Sequence, residues 1–153
     1  MSTAGASAVG CRSTSGAGVF IGENLVLVRA GPWRMLVPER NVRRVHPAAL
    51  PAVHPGVPSR SPVVCVEGVL LPVVFAAALA GAVRVELAGH HQMVELGDQE
   101  RRALLWVDAA EDVVPYRPVE AGAGAPGGGL VAGWSGPDRP LPVLDVGRLL
   151  DQL

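Results

Sequence analysis

Val63-Val-Cys-Val-Glu-Gly-Val-Leu-Leu-Pro-Val-Val-Phe75 is the stretch on which the fold turns. Val63 to Glu67 reads as a strand because β-branched residues favour extended backbone. Gly68 supplies a turn or bulge, and Val69 to Val74 reads as the returning strand. Phe75 to Leu79 follows as a short helix that Gly81 ends. Val83 to Leu87 reads as a further short strand.

The same texture extends both ways. Upstream, Asn24 to Arg29 is a strand, Gly31-Pro32 a turn and Trp33 to Val37 the return strand. Glu39 to Val45 reads as one or two helical turns, with Val42 and Val45 facing inward at i, i+3. His46 to Pro62 carries five prolines; each removes a ladder donor, so an irregular extended loop is expected. Downstream, His91 to Leu96 and Arg101 to Asp108 form a hairpin about a Gly97 to Glu100 turn. Glu111 to Pro115 is a further strand or turn, and the Gly/Ala/Pro run Ala121 to Gly129 a flexible loop. Leu130 to Trp134 and Leu141 to Leu144 make a last hairpin. Val146 to Leu153 closes the chain as a helix with Asp145 as its N-cap. Short strands broken by Gly and Pro indicate an all-β barrel or sandwich. No internal repeat is evident.

The chain has 153 residues, 49% of them apolar, enough for one real core. Its 13 basic residues, all arginine, nearly balance 14 acidic ones. With no basic block, electrostatic binding to nucleic acid or acidic lipid is not expected, and without lysine there is no Schiff-base or P-loop chemistry. Cys11 and Cys65 are the only cysteines, read as reduced in a cytoplasmic setting. Val69 to Val83, broken by Pro72 and Gly81, falls short of the roughly 20 residues of a membrane span. Residues 1–18 have little to bury and read as a disordered leader, leaving 19–153 as the folded domain.

Each possible reactive group has a plainer explanation. Gly122-Ala-Gly-Ala-Pro-Gly127 spells G-x-G-x-x-G but lacks the strand-to-helix context of a dinucleotide loop. His90 and His91 would point to opposite faces of a strand, and an exposed turn or strand edge is the expectation. Ser135, in Gly133-Trp-Ser-Gly136, lacks the last glycine of a nucleophile elbow. Asp108, Glu111 and Asp112 read as a solvated turn. Trp33, Trp106 and Trp134 read as packing residues. No cofactor, metal, small-molecule substrate or catalysis is expected, and a binding or scaffold module is the economical reading.

The order of segments resembles the CheW-like domain family. Leu25-Val-Leu-Val, Met35-Leu-Val-Pro and Asn41-Val-Arg-Arg-Val45 are similar to its opening, which ends in V-x-E-I. Val63 to Phe75 resembles its central G-V-x-N-L-R-G-x-x-x-P-V-x-D-L. Ala103-Leu-Leu-Trp-Val-Asp108 with Glu111-Asp-Val-Val114 is similar to G-L-x-V-D-x-V-x-x-V. Leu130-Val-Ala-Gly133 and Leu141-Pro-Val-Leu-Asp145 through Leu150 resemble the closing hairpin and final helix. The resemblance implies two interlocked, five-stranded SH3-like β-barrels. It also implies a non-catalytic cytoplasmic adaptor that couples methyl-accepting chemoreceptors to a CheA-type histidine kinase. The partner-binding positions would be Val42, Arg44, Val45, Glu67, Gly68 and Phe75.

The departures fall on those positions. Glu67 stands for the arginine of L-R-G, Arg44 for the glutamate of V-x-E-I, Phe75 for the aspartate of P-V-x-D-L and Cys65 for the asparagine. A divergent scaffold or assembly module that has lost receptor or kinase binding is the alternative. The paired sign changes suggest an ion pair with reversed polarity; two independent surface changes are the other explanation. A core shared between the lobes is expected from Val26, Leu36, Val64, Val66, Leu71, Val73, Leu105, Val107, Val131 and Val143, which alternation puts on one face.

Overall fold

The computed structural model describes residues 19–53, 61–120, 128–136 and 139–153. Residues 1–18, Cys11 among them, the middle of the proline-rich loop and the Gly122–Gly127 motif lie outside the described residues. The elements in order are β1 (Asn24–Ala30), β2 (Trp33–Pro38), a 3-10 turn (Glu39–Asn41), β3 (Val42–Pro47), β4 (Val63–Val66), β5 (Val69–Phe75) and α1 (Ala76–Leu79). They continue with β6 (Gln92–Gly97), β7 (Arg102–Val107), β8 (Ala109–Pro115), a second 3-10 turn (Gly128–Leu130), β9 (Val131–Ser135), β10 (Leu141–Leu144) and α2 (Val146–Asp151).

The strands make two curled, mixed sheets with the orders β8-β1-β2-β10-β9 and β3-β6-β7-β5-β4. Each holds a central antiparallel hairpin, β1–β2 or β6–β7, with an antiparallel edge strand on one side. On the other side lies a parallel strand, β10 or β5, that carries its own hairpin partner and leads into a helix. The two sheets are thus built alike. Their similarity escapes a linear reading because the first sheet takes its hairpin from the start of the chain and its other strands from the end.

Both sheets curl shut by one device: the edge strand runs on and meets the opposite edge. Beyond β3, Ala52 and Val63 exchange backbone hydrogen bonds of 2.9 and 2.7 Å. Beyond β8, Val119 donates to the Trp134 carbonyl and Gly136 to that of Arg117. The buried Ser135 closes the same seam, its Oγ accepting from the Arg117 amide at 2.8 Å. It is a structural acceptor on a strand, with no elbow about it.

The core differs from the single shared core expected. Central strands are buried on both faces, so alternation separates two cores instead of core from solvent. Leu104 and Trp106 of β7 join Val64, Val66, Leu71, Val73 and Met93 inside the second barrel. Leu105 and Val107, one step out of phase, face the other way and pack with Val26, Val28, Met35, Val37, Val94 and Leu96 between the sheets. Leu36 and Val143 join Leu25 in the first barrel. Val131 is only half-buried.

Two local expectations are corrected and a third holds. Glu39–Asn41 makes a single 3-10 turn, but Val42–Pro47 is a strand, because pairing with β6 offers backbone partners that a lone helical turn lacks. Val42 lies half-buried against the inter-sheet core, and Val45 is 40% exposed. Val83–Leu87 is not a strand; it is an irregular connector from α1 to β6, with no neighbouring strand to pair with. The final helix forms as read, and the Asp145 Oδ1 accepts from the Arg148 amide at 3.0 Å.

Candidate functional site

Arg44 lies on β3 and Glu67 in the turn between β4 and β5, at opposite edges of the second sheet. Curling of the sheet brings them together, with Arg44 Nη1 3.1 Å from Glu67 Oε2. The side chains are 59% and 70% exposed, so the pair is a surface feature. Glu67 has φ 50° and Gly68 φ 84°. Two successive positive φ angles in a two-residue hairpin loop describe a type I′ turn, which favours Asn-Gly. Glu67 is the only non-glycine described residue with positive φ. A bulky carboxylate is therefore held at a strained turn tip and presented to solvent beside a guanidinium.

The other sequence-derived positions divide. Val45 and Gly68 flank the ion pair along the chain. Phe75 sits at the far end of β5, about 20 Å from Gly68 at the rise of a strand. Its ring packs on Trp106, centroids 6.0 Å apart. Val42 is committed to the core. One cluster of four residues therefore stands at a barrel tip, while Phe75 belongs to a second surface.

That second surface is a groove of about 460 Å³ between the β1–β2 turn and the second barrel, lined by Pro32, Trp33, Phe75, Val85, His91 and Trp106 among others. His91 is 8% exposed, contrary to the exposed edge expected. Its Nδ1 accepts from Trp106 Nε1 at 2.9 Å, which leaves the ring proton on Nε2, 3.5 Å from Asp108 Oδ1. The other Asp108 oxygen accepts from the Gly31 amide at 2.9 Å and faces Arg29 Nη1 at 3.3 Å. Arg29 in turn reaches Glu111, which also faces Arg34. Asp108, which follows β7, thus fixes the β1–β2 turn to the second barrel, while Glu111 on β8 ties the strands of the first sheet to one another; neither is merely solvated. A buried tryptophan needs an acceptor for its N–H, and His91 meets that need. The groove lining includes no serine, threonine or cysteine. Among the described residues no group of three metal-ligating side chains occurs.

A third polar cluster braces the second barrel. Glu95 is 5% exposed and holds His46 Nε2 at 2.8 Å and Arg102 Nη1 at 3.2 Å, tying β3, β6 and β7. Burial raises its pKa, but the hydrogen bonds from His46 and Arg102 outweigh that and keep the carboxyl below its ordinary value. In the β6–β7 turn, Asp98 accepts from the Arg101 and Glu100 amides and from the Arg101 side chain, which brings its pKa down to about 2.

No helix among the described residues is long and apolar enough to cross a membrane, and Cys65 is free and exposed. No family model matches the chain, and no curated protein matches it by sequence. A solved structure does: the scaffolding protein TtCheW from Thermoanaerobacter tengcongensis, at a TM-score of 0.65 and 15% identity, over 82% of this chain and 86% of that one. At that identity the likeness establishes the architecture, and the chain has the all-β fold of a CheW scaffold: two curled mixed sheets with a few short helices.

Proposed function

We propose that the chain is a non-catalytic cytoplasmic adaptor of a chemosensory system, coupling a chemoreceptor to a CheA-type histidine kinase through protein–protein contacts. The observation that carries this reading is the shared architecture with a solved scaffolding protein over most of both chains. The Arg44–Glu67 tip adds to it. A carboxylate held in a strained turn is poor design for stability alone and suits a surface kept for contact. The partner-binding residues in this reading are Arg44, Val45, Glu67 and Gly68 at the tip, with Phe75 on the groove.

The reversed polarity of the Arg44–Glu67 pair favours a second reading, in which the scaffold has lost one of the two partners and serves another assembly. Both are tested by pull-down of the full chain with the kinase regulatory domain and the receptor tip encoded in the same genome. Binding to both supports the coupling role. Binding to one supports the second reading, and binding to neither at tens of micromolar protein removes the coupling role and leaves the fold standing.

A further inference from the structure

Between α1 and β6, the segment Val83-Arg-Val-Glu-Leu87 has the composition of a strand and no strand beside it. Among the described residues its backbone makes no hydrogen bonds, and Arg84 and Glu86 have no ion-pair partner. Val83 is 99% exposed and Leu87 44%. Val83 and Arg84 lie in a bend; Val83, Arg84, Val85 and Glu86 all line the groove, Val85 half-buried and the charged pair exposed. Unpaired backbone donors and acceptors beside exposed aliphatic side chains make a template for strand addition.

The sequence specifies what would pair with it. Laid antiparallel on a second copy of itself about Val85, the segment sets Val83 opposite Leu87 and Arg84 opposite Glu86, twice over. One face becomes a continuous apolar strip, and the other carries two cross-strand ion pairs of opposite sign. A register displaced by two residues breaks this match by placing a charge opposite a residue outside the segment. The symmetry needed is a simple two-fold, the commonest in homo-oligomers, with the same patch on both subunits.

We propose that Val83–Leu87 is a self-recognition strand through which two copies of this chain associate by antiparallel β-pairing. This goes beyond the coupling role and stands or falls independently of it. A five-residue strand pair is a small interface, and association in the micromolar-to-millimolar range is expected, as for contacts burying less than about 1,200 Å².

The test is sedimentation equilibrium of the full chain and two charge-reversed variants. The wild type should dimerise with rising concentration. Arg84→Glu places carboxylates opposite one another, and Glu86→Arg places guanidinium groups opposite one another. Each variant alone should weaken dimerisation at least tenfold at unchanged melting temperature, since both sites are exposed. Mixed in equal amounts, the two variants should form a one-to-one heterodimer, because each supplies the charge the other lacks. The double change Arg84→Glu/Glu86→Arg should dimerise like the wild type. A wild type that stays monomeric up to ~1 mM would overturn the proposal. So would single variants that dimerise as well as wild type, or a mixture no more associated than its components.

Discussion

Replacing Glu67 by asparagine sets two energies of known sign against each other at the barrel tip. A non-glycine residue in the left-handed region costs about 1–2 kcal/mol, and asparagine tolerates it far better. The change should therefore return roughly 1 kcal/mol of turn strain. It also removes the ion pair to Arg44, whose partners are 59% and 70% exposed; pairs so solvated are worth roughly 0.2–1 kcal/mol. The expected net effect is a stabilisation between about 0 and 1 kcal/mol, which for a fold of this size is a rise of about 0–4 °C in Tm. In an Arg44→Ala background the pair is already gone, and Glu67→Asn should there yield the whole gain of roughly 1 kcal/mol. Urea unfolding followed by tryptophan fluorescence on the four proteins gives both values and their difference, the coupling energy. A loss of more than about 1 kcal/mol that vanishes in the Arg44→Ala background would mean that the pair is far stronger than its exposure allows. A loss that persists there would mean that the turn is not strained by glutamate. If the tip is a contact surface, the same stabilised variant should bind its partner more weakly, separating stability from recognition.

Leu105→Ala, at a fully buried position of the central strand β7, should cost about 2–5 kcal/mol in the same assay. A loss under about 1 kcal/mol would displace that strand's register. Glu95→Leu leaves the imidazole of His46 and the guanidinium of Arg102 without their common acceptor, and should cost about 3 kcal/mol; unchanged stability would show that the cluster braces nothing. The depressed pKa of Asp98, about 2 against an ordinary 3.8, means that the carboxylate binds protons less readily folded than unfolded. Its contribution is complete above about pH 4 and fades as pH falls toward 2; stability profiles of wild type and Asp98→Ala should converge over that window and run apart above it. Trp106 donates to His91 in a buried site, so His91→Phe should destabilise by about 1–3 kcal/mol by orphaning that donor, with a shift in tryptophan emission as a second readout.

The hairpins were legible because each carries a Gly- or Pro-marked turn between largely apolar runs, and turn chemistry is local. The core assignment was legible only in part. Leu104 to Val107 is apolar without interruption, and such a run does not reveal that alternate residues enter different cores. Val42 and Val45 match helical spacing, yet the pairing of β3 with β6, remote in sequence, decided the segment. The Arg44–Glu67 contact was legible because two charges had changed sign together against a family pattern. The groove was not, since its walls come from the β1–β2 turn and from segments more than forty residues away. His91 was misread because the two-residue period of a strand was applied to a position just before the strand begins.

The transposed first hairpin has a consequence for synthesis. The second barrel draws its strands from residues 42–107 and can close as soon as those leave the ribosome. The β1–β2 hairpin is made first and must wait for β10, which begins at Leu141 and lies beside β2 in the finished sheet. At ~5–20 residues per second that wait is on the order of 5–20 s. Throughout it, the edge of β2 and the side chain of Leu36 lack their final cover. The earliest of the described hairpins is thus among the last to be completed, and a chain that stalls before β10 exposes a hydrophobic edge rather than releasing a finished half. Chaperones or a second nascent chain would meet that edge first.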